Sequence, residues 1–319
     1  MRSHISELEE KLFPYEFPEK INKYSNSKDF ESIYKFLEEL SAKEDQNYFK
    51  AAIRAGLGMK IDTNGIFPLH KACEKGNFGL VKSLLQCGCP PFYVNNNGDS
   101  GLVFASANGH LDIVKYLISY GVNKDIKNKQ GISPINCASA YGQFEVVKYL
   151  HSIGANIESQ DNNGSTPIIL ASAHGHLEIV KYLISIGANK ETKDNFGCTP
   201  IISASARGHS KIVEFLVSSG ANIEERSNLG DTPLLLSSFK GHLEVVRILI
   251  SNGSNKDVQD NSGCTPLYLA ASSGHFEIVE FLCLHGANTD IKNNSNLTPL
   301  SIALNHGHTQ IVNYLNQHH

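Results

Sequence analysis

Residues Thr166–Asn189 read TPIILASAHGHLEIVKYLISIGAN, and this stretch carries the reading of the whole chain. Thr166 is a good helix N-cap, and Pro167 follows at the first helical position, where its missing N–H costs nothing. Ile168, Ala171 and Ser172 share one helical face, and Gly175 ends that helix after about two turns. A second helix carries Ile179, Val180, Leu183 and Ile184 as an apolar stripe, with Glu178 and Lys181 spaced to pair on its solvent side. Gly187 terminates it, and the polar stretch from Asn189 to Gly197 supplies a turn.

Outward from this stretch the glycines recur every 33 residues. One series is Gly65, Gly98, Gly131, Gly164, Gly197, Gly230 and Gly263. A second runs from Gly76 in the same steps to Gly307, and a third from Gly88 to Gly286. Together they account for 22 of the 26 glycines, so they punctuate a repeat rather than cradle a ligand. A period of this length is the signature of a solenoid, in which each unit stacks on its neighbours. The first helices are lined by small residues, Ala72, Ala105, Ala138, Ala171, Ala204, Ser237, Ala270 and Ala303, which permit close approach. The second helices carry Ile, Val and Leu at equivalent places. Neither helix buries its face alone.

The motifs in this frame resemble the ankyrin repeat, with its TPLH-x-A helix start, central GH turn and GA(D/N) exit. The start appears as FPLHKA at Phe67–Ala72, TPIILA at Thr166–Ala171 and TPLYLA at Thr265–Ala270. The turn appears at Gly109-His110, Gly175-His176, Gly208-His209, Gly241-His242, Gly274-His275 and Gly307-His308, and the exit at Ala155-Asn156, Ala188-Asn189, Ala221-Asn222 and Ala287-Asn288. The wording, rich in IVKYLIS and GANK, also resembles the large ankyrin families of parasitic protists. The resemblance implies an all-α ankyrin-repeat solenoid of helix-turn-helix pairs with short β-hairpin fingers, stacked into a curved rod. Eight repeats are expected, at 62–94, 95–127, 128–160, 161–193, 194–226, 227–259, 260–292 and 293–319. Residues 28–61 read as a diverged helical cap, and residues 1–27 as an acidic helix followed by a linker broken at Pro14 and Pro18. Three departures stand out. The TPLH histidine survives only as His70. The turn glycine becomes Asn296 in the last repeat. The second repeat starts Ser100-Gly101 instead of Thr-Pro, so Gly101→Pro is expected to stabilise it.

Net charge is −4, which argues against a nucleic-acid or anionic-membrane partner. Charge is nevertheless uneven, since residues 1–61 hold 21 of the 60 charged side chains. No apolar run approaches the ~18 residues of a membrane span. Seven cysteines without a CxxC pair fit reduced thiols in the cytoplasm or nucleus, where the sequons at Asn163, Asn252 and Asn296 would stay unmodified.

The GH histidines form a ladder with copies about 10 Å apart, too far for one zinc ion, so they read as turn residues bonding nearby backbone. The clusters His174/His176, His306/His308 and His318/His319 lack a further ligand at metal spacing. Cys87 and Cys89 are isolated, and Cys198 and Cys264 lie two repeats apart, too far to pair. No nucleophile elbow, phosphate loop or HExxH appears, so no enzyme activity, cofactor or metal is expected.

The expected function is a monomeric, non-enzymatic scaffold or adaptor that binds a protein on the concave ankyrin surface. A regulatory inhibitor masking an enzyme or transcription factor, and a host-directed effector, are the alternatives. In the ankyrin family the variable contact positions are the finger tips and the residues before the GH turn. Mapped here, they give Tyr141, His174, Arg207 and Lys240 as an aromatic-to-basic strip, with Phe239 beside Lys240, and Phe196 and Leu229 as neighbouring finger residues. Such a surface suits an acidic protein segment with an apolar anchor.

Overall fold

The computed structural model describes residues 16–43 and 46–317. Over these residues the chain holds nineteen α-helices and a 3-10 turn at Leu57–Met59, with no strand beyond one bridge between Val94 and Ser100. From Pro68 onward the helices come in pairs. The first of each pair spans seven or eight residues, as in Pro167–Ala173 and Pro233–Lys240, and the second spans nine, as in Leu177–Ser185. This is the helix-turn-helix solenoid that the period implies. The fingers are closed turns rather than strand ladders. In one, the Gly197 N–H reaches the Asp194 carbonyl at 3.0 Å, and Asp194 Oδ1 accepts from Phe196 N at 2.9 Å and from Cys198 N at 2.8 Å.

The glycine ladders have one backbone cause. All 22 of their members have φ between +74° and +92°, the left-handed region that side chains enter at a cost. Where the turn glycine is missing, Asn296 adopts φ +63°; asparagine is one of the few other residues that tolerates it.

The first helices start as their sequence dictates. Thr199, Thr232, Thr265, Thr298 and Ser100 are extended, and each side-chain oxygen accepts the N–H three residues on. Thr166 departs from this pattern. It has the N-cap backbone, but its buried hydroxyl makes no capping bond, so Pro167 and the extended φ/ψ alone start that helix. In the second helix Ile179, Val180 and Leu183 are buried, while Ile184 is only half-buried at the stripe's edge. Full burial of each such side chain is worth about 1.5–3 kcal/mol. Glu178 and Lys181 pair at 2.9 Å on the exposed side, a contact worth tenths of a kcal/mol.

Two compact units carry these elements: Met1–Ala138 together with Lys148–Ala155, and Ser139–Val147 together with Asn156–His319. In the first, helix Phe30–Ala42 buries Ile33, Tyr34, Phe36, Leu37 and Leu40, packing on Gln46–Arg54 and on Phe78–Gln86. Asn77 Nδ2 donates to Glu38 at 2.9 Å, and Lys75 Nζ stands 4.6 Å from the Tyr34 ring centroid. The acidic helix expected near the start lies outside the described residues. The expected linker is corrected over Glu16–Ser25, which is helical. Pro18 falls in its first turn, where proline sacrifices no intrahelical bond.

The expectation for Gly101 meets a close neighbour. Gly101 begins helix Gly101–Ala107 and is buried, and a Cβ there would lie 3.0 Å from the Cys73 sulfur. At that distance the Cys73 sulfur must give by a few tenths of an ångström before any side chain fits.

Candidate interaction surface

Each GH histidine reaches back one helix pair. Its Nε2, donating in the matching tautomer, lies near a backbone carbonyl 36 residues earlier: His176 to Ala140 at 2.9 Å, His209 to Ala173 at 3.1 Å, His242 to Ala206 at 3.3 Å and His275 to Phe239 at 3.0 Å. Its ring packs on the preceding turn glycine, whose missing Cβ makes the room. The finger tips are stitched in the same way. Asn195, Asn228, Asn261 and Asn294 each donate through Nδ2 to a carbonyl 33 residues earlier, at 2.9–3.2 Å. This asparagine series shares the period of the glycines, but its bonding partners become neighbours only when the fingers stack.

The two ladders locate the candidate residues within the second unit. Tyr141, His174, Arg207 and Lys240 each follow directly the carbonyl that a histidine holds, so they form one row at the C-terminal ends of successive first helices. All four are exposed. Arg207 makes no ion pair among the described residues. Lys240 Nζ stands 5.0 Å from the ring centroid of Phe239, and His174 Nδ1 lies 2.8 Å from the Leu170 carbonyl. Phe196 and Leu229 are 63% and 71% exposed, on fingers joined by the bonds Asn228 N to Phe196 O and Asn261 N to Leu229 O.

One placement is corrected. Phe196 and Leu229 do not adjoin the strip. They precede the first helices, whereas the strip follows them, and a seven-residue helix is about 10 Å long. The surface therefore has two rims, an apolar one at the fingers and an aromatic-to-basic one at the turns. Half-buried Leu170, Ser203, Leu236 and Leu269 lie on the helices between them.

The remaining chemistry is subdued. Burial pushes the Cys198 and Cys283 thiols up to about 11 and those of Cys89 and Cys137 up to about 12, so these are neutral thiols at ordinary pH. Cys264 is buried at its finger. No group of three metal-ligating side chains occurs among the described residues, and His318 and His319 lie outside them. No described helix is long and apolar enough to cross a membrane.

His70 is a working helix-start histidine. Its Nδ1 accepts from Phe67 N at 3.4 Å, and Nε2–H donates to the Tyr93 carbonyl at 2.8 Å. Other first helices put different chemistry at this position, as where Ser301 Oγ accepts from Thr298 N at 2.7 Å. Burial lowers the His70 pKa below 6.5, against a smaller opposing pull from the Tyr93 carbonyl. A lowered folded-state pKa gives stability that is fully present above 6.5 and lost as pH falls through the folded value. The difference in urea midpoint between wild type and His70→Ala should therefore be large at pH 7.5 and shrink on acidification. A difference constant with pH would remove His70 from the balance.

With both ladders in view, comparison with known families is decisive. A family model described as ankyrin repeats, three copies to the model, matches residues 37–128, 102–194, 135–227, 185–260 and 234–319. The chain belongs to the ankyrin repeat family. No curated protein matches it. Ankyrin repeats are generally protein-interaction modules, so a protein partner is the coarse functional reading. In ankyrin terms, the histidine and asparagine ladders set the frame, and the exposed residues beside them are what differs from one pair to the next.

Proposed function

We propose that this ankyrin protein is a non-enzymatic scaffold or adaptor whose second unit holds a protein segment between the two rims. The observation that carries the reading is the pairing of chemistries. Phe196 and Leu229 present bare apolar surface at the fingers, while His174, Arg207 and Lys240 line the turns of a chain whose net charge is −4. Single exposed apolar residues need no explanation, but exposed aromatics and an arginine in register are the material of interface hot spots. The fitting ligand is an acidic segment with an apolar anchor. The anchor covers the finger rim, and the carboxylates face the turns across about one helix length. The ladders hold the frame before binding, so little ordering is needed on association.

The test is a quantitative pull-down comparing wild type with Tyr141→Ala, Arg207→Ala and Phe239→Ala, followed by titration of the captured partner. Each substitution should weaken binding by more than about 1 kcal/mol, with the melting temperature little changed and with affinity falling as salt rises. Unchanged affinity in all three variants would dismiss this surface.

A further inference from the structure

The first two fingers break a rule that the later ones keep. In the later fingers an acidic side chain accepts the backbone N–H 31 residues on: Glu158 from Asn189 at 2.8 Å, Glu191 from Asn222 at 3.1 Å, Glu224 from Asn255 at 2.8 Å and Asp257 from Asn288 at 2.8 Å. Two residues further along the finger, a long polar side chain reaches the next finger. Arg226 Nη1 bonds the Gln259 carbonyl at 2.8 Å, and Gln259 Nε2 the Lys292 carbonyl at 3.3 Å. At these two places the first unit has Met59 and Ile61 in one finger and Phe92 and Val94 in the next, and every one of them is exposed. Tyr93 between the last two is exposed as well. The two fingers adjoin, because Asn96 N donates to the Asn64 carbonyl at 3.0 Å.

Packing accounts for only part of this, since Tyr93 lies against Phe67 and Met59 is more covered than exposed. Phe92 and Ile61 give up cross-finger bonds and gain little burial, being 58% and 53% exposed. The sequence has adjusted around the loss. The N–H that would need an acceptor at Met59 belongs to residue 90, which is proline and has none. The N–H that would need one at Phe92 belongs to Asn123, and it has no acceptor among the described residues. The patch is also held rigid. The Tyr93 ring stacks on Phe67 with centroids 5.1 Å apart, and the Tyr93 carbonyl is bonded by His70.

We infer that Met59, Ile61, Phe92, Tyr93 and Val94 form a second docking surface, for a short segment of a partner protein. That segment carries bulky apolar side chains and a carbonyl or carboxylate oxygen to accept the Asn123 N–H. A second copy of this chain does not suit the patch. About 400 Å² of exposed apolar surface, paired face to face, buries about 800 Å² in total, less than the roughly 1,200 Å² at which specific protein–protein interfaces begin. The same area suffices for the apolar centre of a peptide site, where a few rigid anchors carry most of the binding.

The test restores the rule. Phe92→Asp with Val94→Lys places an acceptor opposite Asn123 N–H and a long cation within reach of the next finger. A displayed library of random short peptides is selected on the full chain, and the enriched peptides are titrated against wild type and the double variant. Enriched peptides should share closely spaced bulky apolar residues and lose about tenfold or more in affinity for the variant. The variant's melting temperature should equal or exceed that of wild type, because cross-finger bonds are regained. Peptides that bind both proteins alike, or failure to enrich any, overturn the inference. A clear fall in melting temperature overturns it too, by showing that the apolar residues serve the fold. Sedimentation showing a wild-type dimer that the variant abolishes overturns it in favour of self-association.

Discussion

Gly241→Ala should destabilise the protein by about 2–4 kcal/mol, while Gly253→Ala in the same helix pair should cost only about 1–2 kcal/mol. The two glycines have nearly the same left-handed backbone, φ +81° and +88°, so the strain of adding a Cβ at positive φ is common to both. Their surroundings differ. A Cβ at Gly253 meets nothing within 4 Å, whereas at Gly241 it would stand 2.6 Å from Cε1 and 2.8 Å from Nδ1 of His275. The ring must move, and its bond to the Phe239 carbonyl at 3.0 Å goes with it. The difference between the two variants thus isolates one rung of the histidine ladder. Adding His275→Ala to Gly241→Ala should recover part of the loss, since the obstructing ring is gone, and that non-additivity is measurable by urea unfolding. Equal losses at Gly241 and Gly253 would show that the rung contributes nothing. Because the rung is tied to Phe239, Gly241→Ala should also disturb the proposed binding surface.

The same rung shows what the sequence could and could not convey. A period of 33 and three glycine series establish helix pairs, since only a repeated backbone need explains so regular a placement. The histidines were readable as turn residues that bond backbone. Their target was not, because the carbonyl of Phe239 becomes a neighbour of His275 only when two pairs stack. Phe196 and Arg207 were readable as exposed, but sequence adjacency obscured the helix that separates finger from turn. Thr166 has the residue type of a cap and the backbone of one, yet its buried hydroxyl makes no capping bond. Met59, Ile61, Phe92 and Val94 stand at the same period of 33. Their meaning depends on knowing that the acids and long polar residues at those places are cross-finger partners.

Gly101→Pro offers the sharpest check on reasoning from a repeat pattern alone. In the third to eighth repeats the first helical position is Pro134, Pro167, Pro200, Pro233, Pro266 or Pro299, and by that pattern alone proline at Gly101 should gain about 0.5–1 kcal/mol through the unfolded chain. The residue 28 positions before each of those prolines is small: Ser106, Ser139, Ser172, Ser205, Ser238 or Ala271. Before Gly101 it is Cys73, fully buried, whose larger sulfur lies 3.0 Å from where the new Cβ would go, inside ordinary contact distance. Proline there overpacks the site, and the single variant should lose about 1–2 kcal/mol instead of gaining stability. Cys73→Ala alone leaves a cavity and should cost a similar amount. Together the two changes restore the pairing found at Ala271 and Pro299, so the double variant should stand close to wild type or above it. The coupling expected from the cycle is about 1–3 kcal/mol. Additive losses in denaturant midpoint would mean that the sulfur does not fill the space proline lacks here, and that Gly101 is retained for another reason.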